Sequence, residues 1–210
     1  MTYNASLGTQ QQKPQTKVVI VHGSYGSPKG NWFPWLKREI ERQGKDAIVP
    51  KFPTPDNQNL ESWKNVFRSE SGALTSETII VGHSVGAAFV LNLLEESPTP
   101  IRAAFLVAGF LGELGLPDYD HVNRTFVCKK LNWNEIKKNA KSIFIFHGDD
   151  DPYVPLSKGQ AIAESLSAPL EVVAGGGHLN AESGYTTFPL LLNKLQPFLT
   201  ATDTSSSSLA

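Results

Sequence analysis

The chain is poor in whatever would tie it to a disulfide framework, a nucleic acid or a membrane. One cysteine, Cys128, occurs in 210 residues. No internal disulfide is available, so the fold must hold by packing, which suits a reducing compartment. Neither sign of charge is in excess. Lys and Arg number 19 against 20 Asp and Glu, for a net charge of −1, far from the basic footprint of a nucleic-acid or membrane-surface binder. No apolar run approaches the roughly 20 residues of a membrane-spanning helix. The opening stretch MTYNASLGTQQQKPQ has no apolar core segment, which argues against a secretory signal, and a cytoplasmic protein is expected. No internal repeat is visible. Neither G-x-G-x-x-G nor a P-loop follows the first apolar run, which weighs against a nucleotide-binding domain.

What is present has the order of one α/β domain. Residues 1–16 are rich in Gln, Thr and Asn, and residues 200–210 in Ser and Thr; both read as flexible tails around a domain spanning 17–199. Within it, short β-branched apolar runs at 18–21, 47–49, 78–81, 103–107, 142–146 and 170–174 read as strands covered on both faces. Helical segments alternate with them. Asn31 is a candidate cap for a helix carrying Trp32, Leu36 and Ile40, with Gly44 as its stop. Further helices are expected at 60–68, at 85–95 (apolar almost all round and therefore buried), after Asn132 with Glu135 as its return partner, around Ile162 and Leu166, and from Phe188 to Leu199. This alternation predicts a six-stranded, mostly parallel, doubly wound sheet with its chemistry in the loops that follow the strands.

One such loop carries a nucleophile motif. Residues 82–86 read Gly-His-Ser-Val-Gly, the G-x-S-x-G pattern, between an expected strand and an expected buried helix. That context is what a nucleophile elbow needs: a sharp turn that lifts the Ser84 hydroxyl clear of the sheet, with glycines on either side to relieve crowding. The Val85 N–H, at the start of the helix, is the natural first oxyanion donor. A serine nucleophile needs a base, and the base an orienting acid, in the chain order Ser, acid, His. His178 follows three glycines after the last strand and is the expected base. The acid comes from Asp149, Asp150 and Asp151. Pro152 biases its predecessor toward an extended conformation, so Asp151 is chosen, with Asp150 and then Asp149 behind it. The second oxyanion donor is expected from the loop after the first strand, as the N–H of Ser24 with that of Tyr25 in reserve. His22, His83 and His147 read as bracing residues. The stretch 109–131 is too short for a lid domain, so the site is expected to be open, with walls drawn from Tyr25, Trp32, Phe110, Leu114, Tyr119, Phe126 and Tyr153.

Several segments together resemble a known family. V-x-x-V-H-G from Val18 to Gly23, the W-x-x-W-L-K-x-E stretch from Trp32, I-I-V-G-H-S-x-G to Gly86, W-x-x-I-K from Trp133, D-D-P-x-V-P from Asp150 and G-G-H at His178 resemble the YdeN-like, retinoblastoma-binding serine hydrolases. The resemblance implies a compact α/β-hydrolase with little or no lid and a triad of Ser84, Asp151 and His178. It does not extend to a retinoblastoma-type partner, because Cys128 lies in Val-Cys-Lys-Lys rather than L-x-C-x-E. The expected chemistry is cleavage of small carboxylic esters through an acyl-enzyme, with no metal or organic cofactor, by a monomer or small homo-oligomer. A thioesterase or small peptidase with the same triad is the nearest rival. A binding module that kept the fold and lost turnover is the rival from another class.

Overall fold

The computed structural model describes residues 15–200; the tail expectations for 1–14 and 201–210 lie outside the described residues. The six apolar runs form β1 (Lys17–Val21), β2 (Asp46–Ile48), β3 (Thr78–His83), β4 (Ala103–Val107), β5 (Ile143–Gly148) and β6 (Leu170–Val173). They pair in the order β2-β1-β3-β4-β5-β6. Every pairing is parallel.

Side chains along a strand alternate between faces, and here both faces are buried. Val18, Ile20, Ile79, Val81, Phe105 and Val107 pack on one side with α1 (Phe33–Glu41) and α7 (Pro189–Thr200). Val19, Val21, Ile80, Ala104 and Leu106 pack on the other side. There they meet α2 (Leu60–Ser71), α3 (Val85–Glu96) and α6 (Leu156–Leu166). Helix α3 lies under the middle of the sheet and buries nine of its twelve residues, as its all-round apolar sequence predicts. Trp63 anchors α2 there: its ring stacks on Phe52 with centroids 4.6 Å apart, and its Nε1–H donates to Pro53 O at 2.8 Å.

The strand order reverses between β1 and β3, because β2 lies outside β1 while β3 continues the sheet on its other side. A crevice opens at such a switch point beyond the carboxyl ends of the strands. The loops after β1 and β3 meet there, and the architecture is that of an α/β-hydrolase.

Three local expectations are corrected. Asn31 does not cap α1; it sits at φ 49°, and Trp32 occupies the cap position without a side-chain cap bond. The Asn31 carboxamide is engaged elsewhere, its Oδ1 accepting from Ala181 N at 3.0 Å. Helix α1 ends at Glu41, short of the expected stop at Gly44. Asn132 does cap α5 (Trp133–Lys138), but Glu135 sends nothing back. The Asn132 N–H donates instead to Glu95 Oε1 on α3 at 2.6 Å, so a tertiary partner replaces the local one. The stretch 109–131, to which the sequence pattern assigns no helix, contains α4 (Pro117–Val127). Among the described residues no helix is long and apolar enough to cross a membrane.

Candidate active site

The turn from β3 into α3 holds Ser84 at φ 58°, ψ −127°, a conformation that costs a non-glycine residue about 1–3 kcal/mol. Its neighbours explain how the turn closes. A Cβ on Gly82 would come within 2.6 Å of Gly86 O, and one on Gly86 within 2.7 Å of the carbonyl oxygens of Val21 and His22. Only glycine fits either position. The strained turn is pinned by Ser84 N–H donating to Val107 O at 2.9 Å and Ala87 N–H donating to Ser84 O at 3.0 Å.

The three aspartates after β5 divide their work. Asp149 Oδ1 accepts from Gly175 N–H at 2.8 Å, and Asp150 Oδ1 from Gly177 N–H at 2.7 Å. Both fix the glycine loop that carries His178. Asp151 faces the other way. Its Oδ1 accepts from the N–H groups of Tyr153 and Val154, each at 2.9 Å, and its Oδ2 lies 2.7 Å from His178 Nδ1. Burial pushes the Asp151 carboxyl up, but the His178 hydrogen bond and charge and the two backbone N–H groups outweigh it and hold the group below the usual carboxylate range. An ionised carboxylate only accepts, so Nδ1 of His178 carries a proton, and in the neutral form of the ring Nε2 is the nitrogen with the lone pair.

Other histidines brace this arrangement. His83 is buried, and its Nε2 lies 2.9 Å from His178 O; since a carbonyl only accepts, His83 donates there and holds the His178 backbone. Burial, with the neighbouring His178, depresses its pKa to about 3, so it stays neutral at working pH. His147 Nε2 lies 2.9 Å from Val154 O and tethers the aspartate loop to β5. His22 Nδ1 lies 2.8 Å from Gly23 O, while its Nε2 accepts from Phe52 N–H at 3.1 Å. The second bond fixes the tautomer, so Nδ1–H donates to the Gly23 carbonyl. In a trans peptide the next N–H points opposite to that carbonyl, which turns the Ser24 N–H away from His22.

The two expected oxyanion donors are both free. Neither Ser24 N–H nor Val85 N–H donates a hydrogen bond among the described residues, and an unpaired first N–H is intrinsic to a helix start. Tyr25 N–H, the reserve, is taken by Thr54 Oγ1 at 2.7 Å. The loop after β1 also reaches Ser84: a Cβ on Gly23 would sit 3.4 Å from Ser84 Oγ.

Ser84, His178 and Ser24 line one cavity of about 350 Å³. A profile of the serine hydrolase family matches residues 18–197. The chain belongs to this family. It is 29% identical to YdeN of Bacillus subtilis (strain 168) over 87% of this chain and 95% of that one. It is 27% identical to the serine hydrolase RBBP9 of Rattus norvegicus over 88% of this chain and 98% of the other. Esterase YpfH of Escherichia coli (strain K12) is 28% identical, over 79% of this chain and 64% of its own length. The crystal structure of the B. subtilis ydeN product superposes with a TM-score of 0.81 at 28% identity, covering 89% of this chain and all of the other.

In this serine hydrolase the expected pocket walls are met unevenly. Tyr25, Phe110, Leu114, Tyr119 and Tyr153 line the cavity. Trp32 does not. It is fully buried, with its Nε1–H donating to Leu179 O at 2.9 Å and its ring edge-on to Phe33 and His83. At the cap position before α1 it turns into the core, where its bond to Leu179 O supports the turn after His178. Phe126 is likewise buried, 4.8 Å from the Trp63 ring centroid. Sequence reasoning missed Asn123 and Glu182, both at the cavity. Asn123 lies on α4, which has helix signals of its own: Pro117 at the start, acidic Asp118 and Asp120 in the first turn and Arg124 in the last. Asn123 Oδ1 accepts from Ser24 Oγ at 2.5 Å and from Gln58 Nε2 at 2.8 Å, which ties α4 to the loop after β1. Glu182 follows no local rule; only the folded 3₁₀ turn Ala181–Ser183 brings it to the rim. Among the described residues no group of His, Cys, Asp or Glu side chains is arranged to hold a metal ion.

Proposed function

We propose that the protein hydrolyses small carboxylic esters through an acyl-enzyme on Ser84. The observation that carries this reading is a strained elbow serine sharing one cavity with a histidine whose Nδ1 lies 2.7 Å from a buried carboxylate. Ser84 Oγ attacks the ester carbonyl as its proton passes to His178 Nε2. The N–H groups of Ser24 and Val85 hold the oxyanion, an interaction commonly worth about 3–4 kcal/mol per donor. The carbonyl carbon–oxygen bond to the alcohol then breaks, and His178 returns the proton to the leaving alkoxide. Water, deprotonated by the same imidazole, attacks the acyl-enzyme, and Oγ leaves with the proton. Asp151 fixes the tautomer and stabilises the imidazolium without itself taking up a proton.

Support for an ester over an amide comes from the name esterase carried by one relative. The discriminating experiment compares p-nitrophenyl acetate with the matching thioester and anilide. Cleavage of the oxygen ester with the highest kcat/KM is expected. A higher value on the thioester or the anilide would move the reading to a thioesterase or peptidase with the same mechanism.

A further inference from the structure

The cavity that holds Ser84 has a one-sided chemistry. Three tyrosines form a continuous wall beside it. Tyr25 and Tyr119 have ring centroids 5.3 Å apart at 81°, and Tyr119 and Tyr153 are 6.1 Å apart at 43°. Tyr153 in turn packs edge-on to His178 at 5.3 Å, so the wall runs from the loop after β1 to the base. Tyr25 is 49% exposed although it is aromatic and lies at the mouth, a position that core packing does not require. Glu182 closes the same rim, with Oε2 accepting from the Tyr153 hydroxyl at 2.8 Å. Its other oxygen accepts nothing, and it pairs with no cation, among the described residues. Among the described residues no Lys or Arg lines the cavity. The carboxylate's field reaches the wall: burial, Tyr25 and Glu182 raise the pKa of Tyr119, and the hydrogen bond to Glu182 raises that of Tyr153.

Aromatic rings lining one cavity beside a carboxylate that pairs with no cation among the described residues supply the two kinds of group that bind a substituted ammonium. The rings attract it through their quadrupoles, and the carboxylate supplies the opposing charge. We infer that Tyr25, Tyr119, Tyr153 and Glu182 form a subsite for a cationic amine or quaternary ammonium group, so that the favoured substrates are esters bearing a positive charge. This rests on the serine-esterase reading above and adds the charge of the substrate to it. An anionic substrate meets the Glu182 carboxylate with no compensating base at the wall, and is disfavoured.

Two measurements test this. The first compares kcat/KM for acetylcholine with that for its neutral isostere 3,3-dimethylbutyl acetate, and for glycine ethyl ester with its isostere ethyl propanoate, each value divided by that ester's own hydroxide rate, so that the charge is carried in the alcohol half and then in the acyl half. At least one pair should favour the cation by about fivefold. Glu182→Gln should shrink the ratio in that pair, and raising the salt from 20 mM to 500 mM should do so less completely. Neutral esters cleaved as fast as cationic ones in both pairs would overturn the subsite while leaving the esterase reading intact. The second measurement is independent of turnover: calorimetric titration with tetraethylammonium should give saturable millimolar binding, weakened at least threefold by Glu182→Gln and by Tyr119→Leu. Absence of saturable binding, or equal binding by all three proteins, would overturn the inference even if no ester is ever cleaved.

Discussion

Three consecutive aspartates have three different partners, and the chemistry depends on which of them faces the imidazole. Asp151 alone lies against His178, while Asp149 and Asp150 tie down the glycine loop from behind. Asp151→Asn should therefore cost about 10³–10⁴-fold in kcat, because an amide no longer enforces the tautomer with a free Nε2. Asp149→Asn keeps an acceptor for Gly175 N–H and should lose less than about tenfold. Steady-state hydrolysis of p-nitrophenyl acetate by the two variants distinguishes them, and equal losses would contradict this division. At this scale the tight turn at Ser84 and the meeting of Asp151 with His178 are legible, because each of these residues sits in a short pattern with its own steric or electrostatic reason. Trp32 was misread because an aromatic side chain beside a functional loop carries no mark of which way it points; that is decided by packing against Phe188 and His83, far along the chain.

The elements deliver these groups through close backbone contact. Where β3 turns into α3, the chain passes so near β1 that Gly86 abuts two carbonyl oxygens of Val21 and His22. Gly86→Ala must push β1 and α3 apart, at a cost of about 1–3 kcal/mol. The same shift displaces the Val85 N–H and the Ser24 loop. The expected outcome is a folded protein, seen by circular dichroism and a melting temperature lowered by several degrees, with activity reduced by at least about a hundredfold. Full activity in that variant would mean that the elbow is not as tight as described. Strands and the buried α3 could be read from periodicity because both faces of the sheet are covered and α3 is buried over nine of its twelve residues. Helix α4 was missed: its apolar positions are few and only Asn123, Phe126 and Val127 are buried. Its start and stop residues marked it better than its hydrophobic pattern did. The Asn132 cap was half legible, since its second bond goes to Glu95 on another helix.

Over the whole molecule, the buried histidines set a common response to acid. Burial lowers the pKa of His22, His83 and His147, with His83 brought to about 3 from 6.5. Below pH 6.5 the unfolded chain takes up protons at these positions and the folded protein does not. Stability therefore rises with pH, is fully present above about 6.5 and is lost as the pH falls toward the folded values. The depressed Asp151 carboxyl acts in the same direction, its share being lost only as the pH falls through its own lowered value. Urea denaturation should give a lower unfolding free energy at pH 5 than at pH 7.5, and replacing His83 by Gln should reduce that difference; equal stability at the two pH values would contradict the placement of neutral histidines. The same histidines link fold to site: His83 holds the His178 backbone, and His147 the aspartate loop. The central claim nevertheless rests on one oxygen atom. Treatment with a fluorophosphonate probe, followed by peptide mass spectrometry, should place a single phosphonyl adduct on Ser84, with no labelling of Ser84→Ala. An unlabelled wild-type protein, or an adduct mapped to another serine, would contradict it.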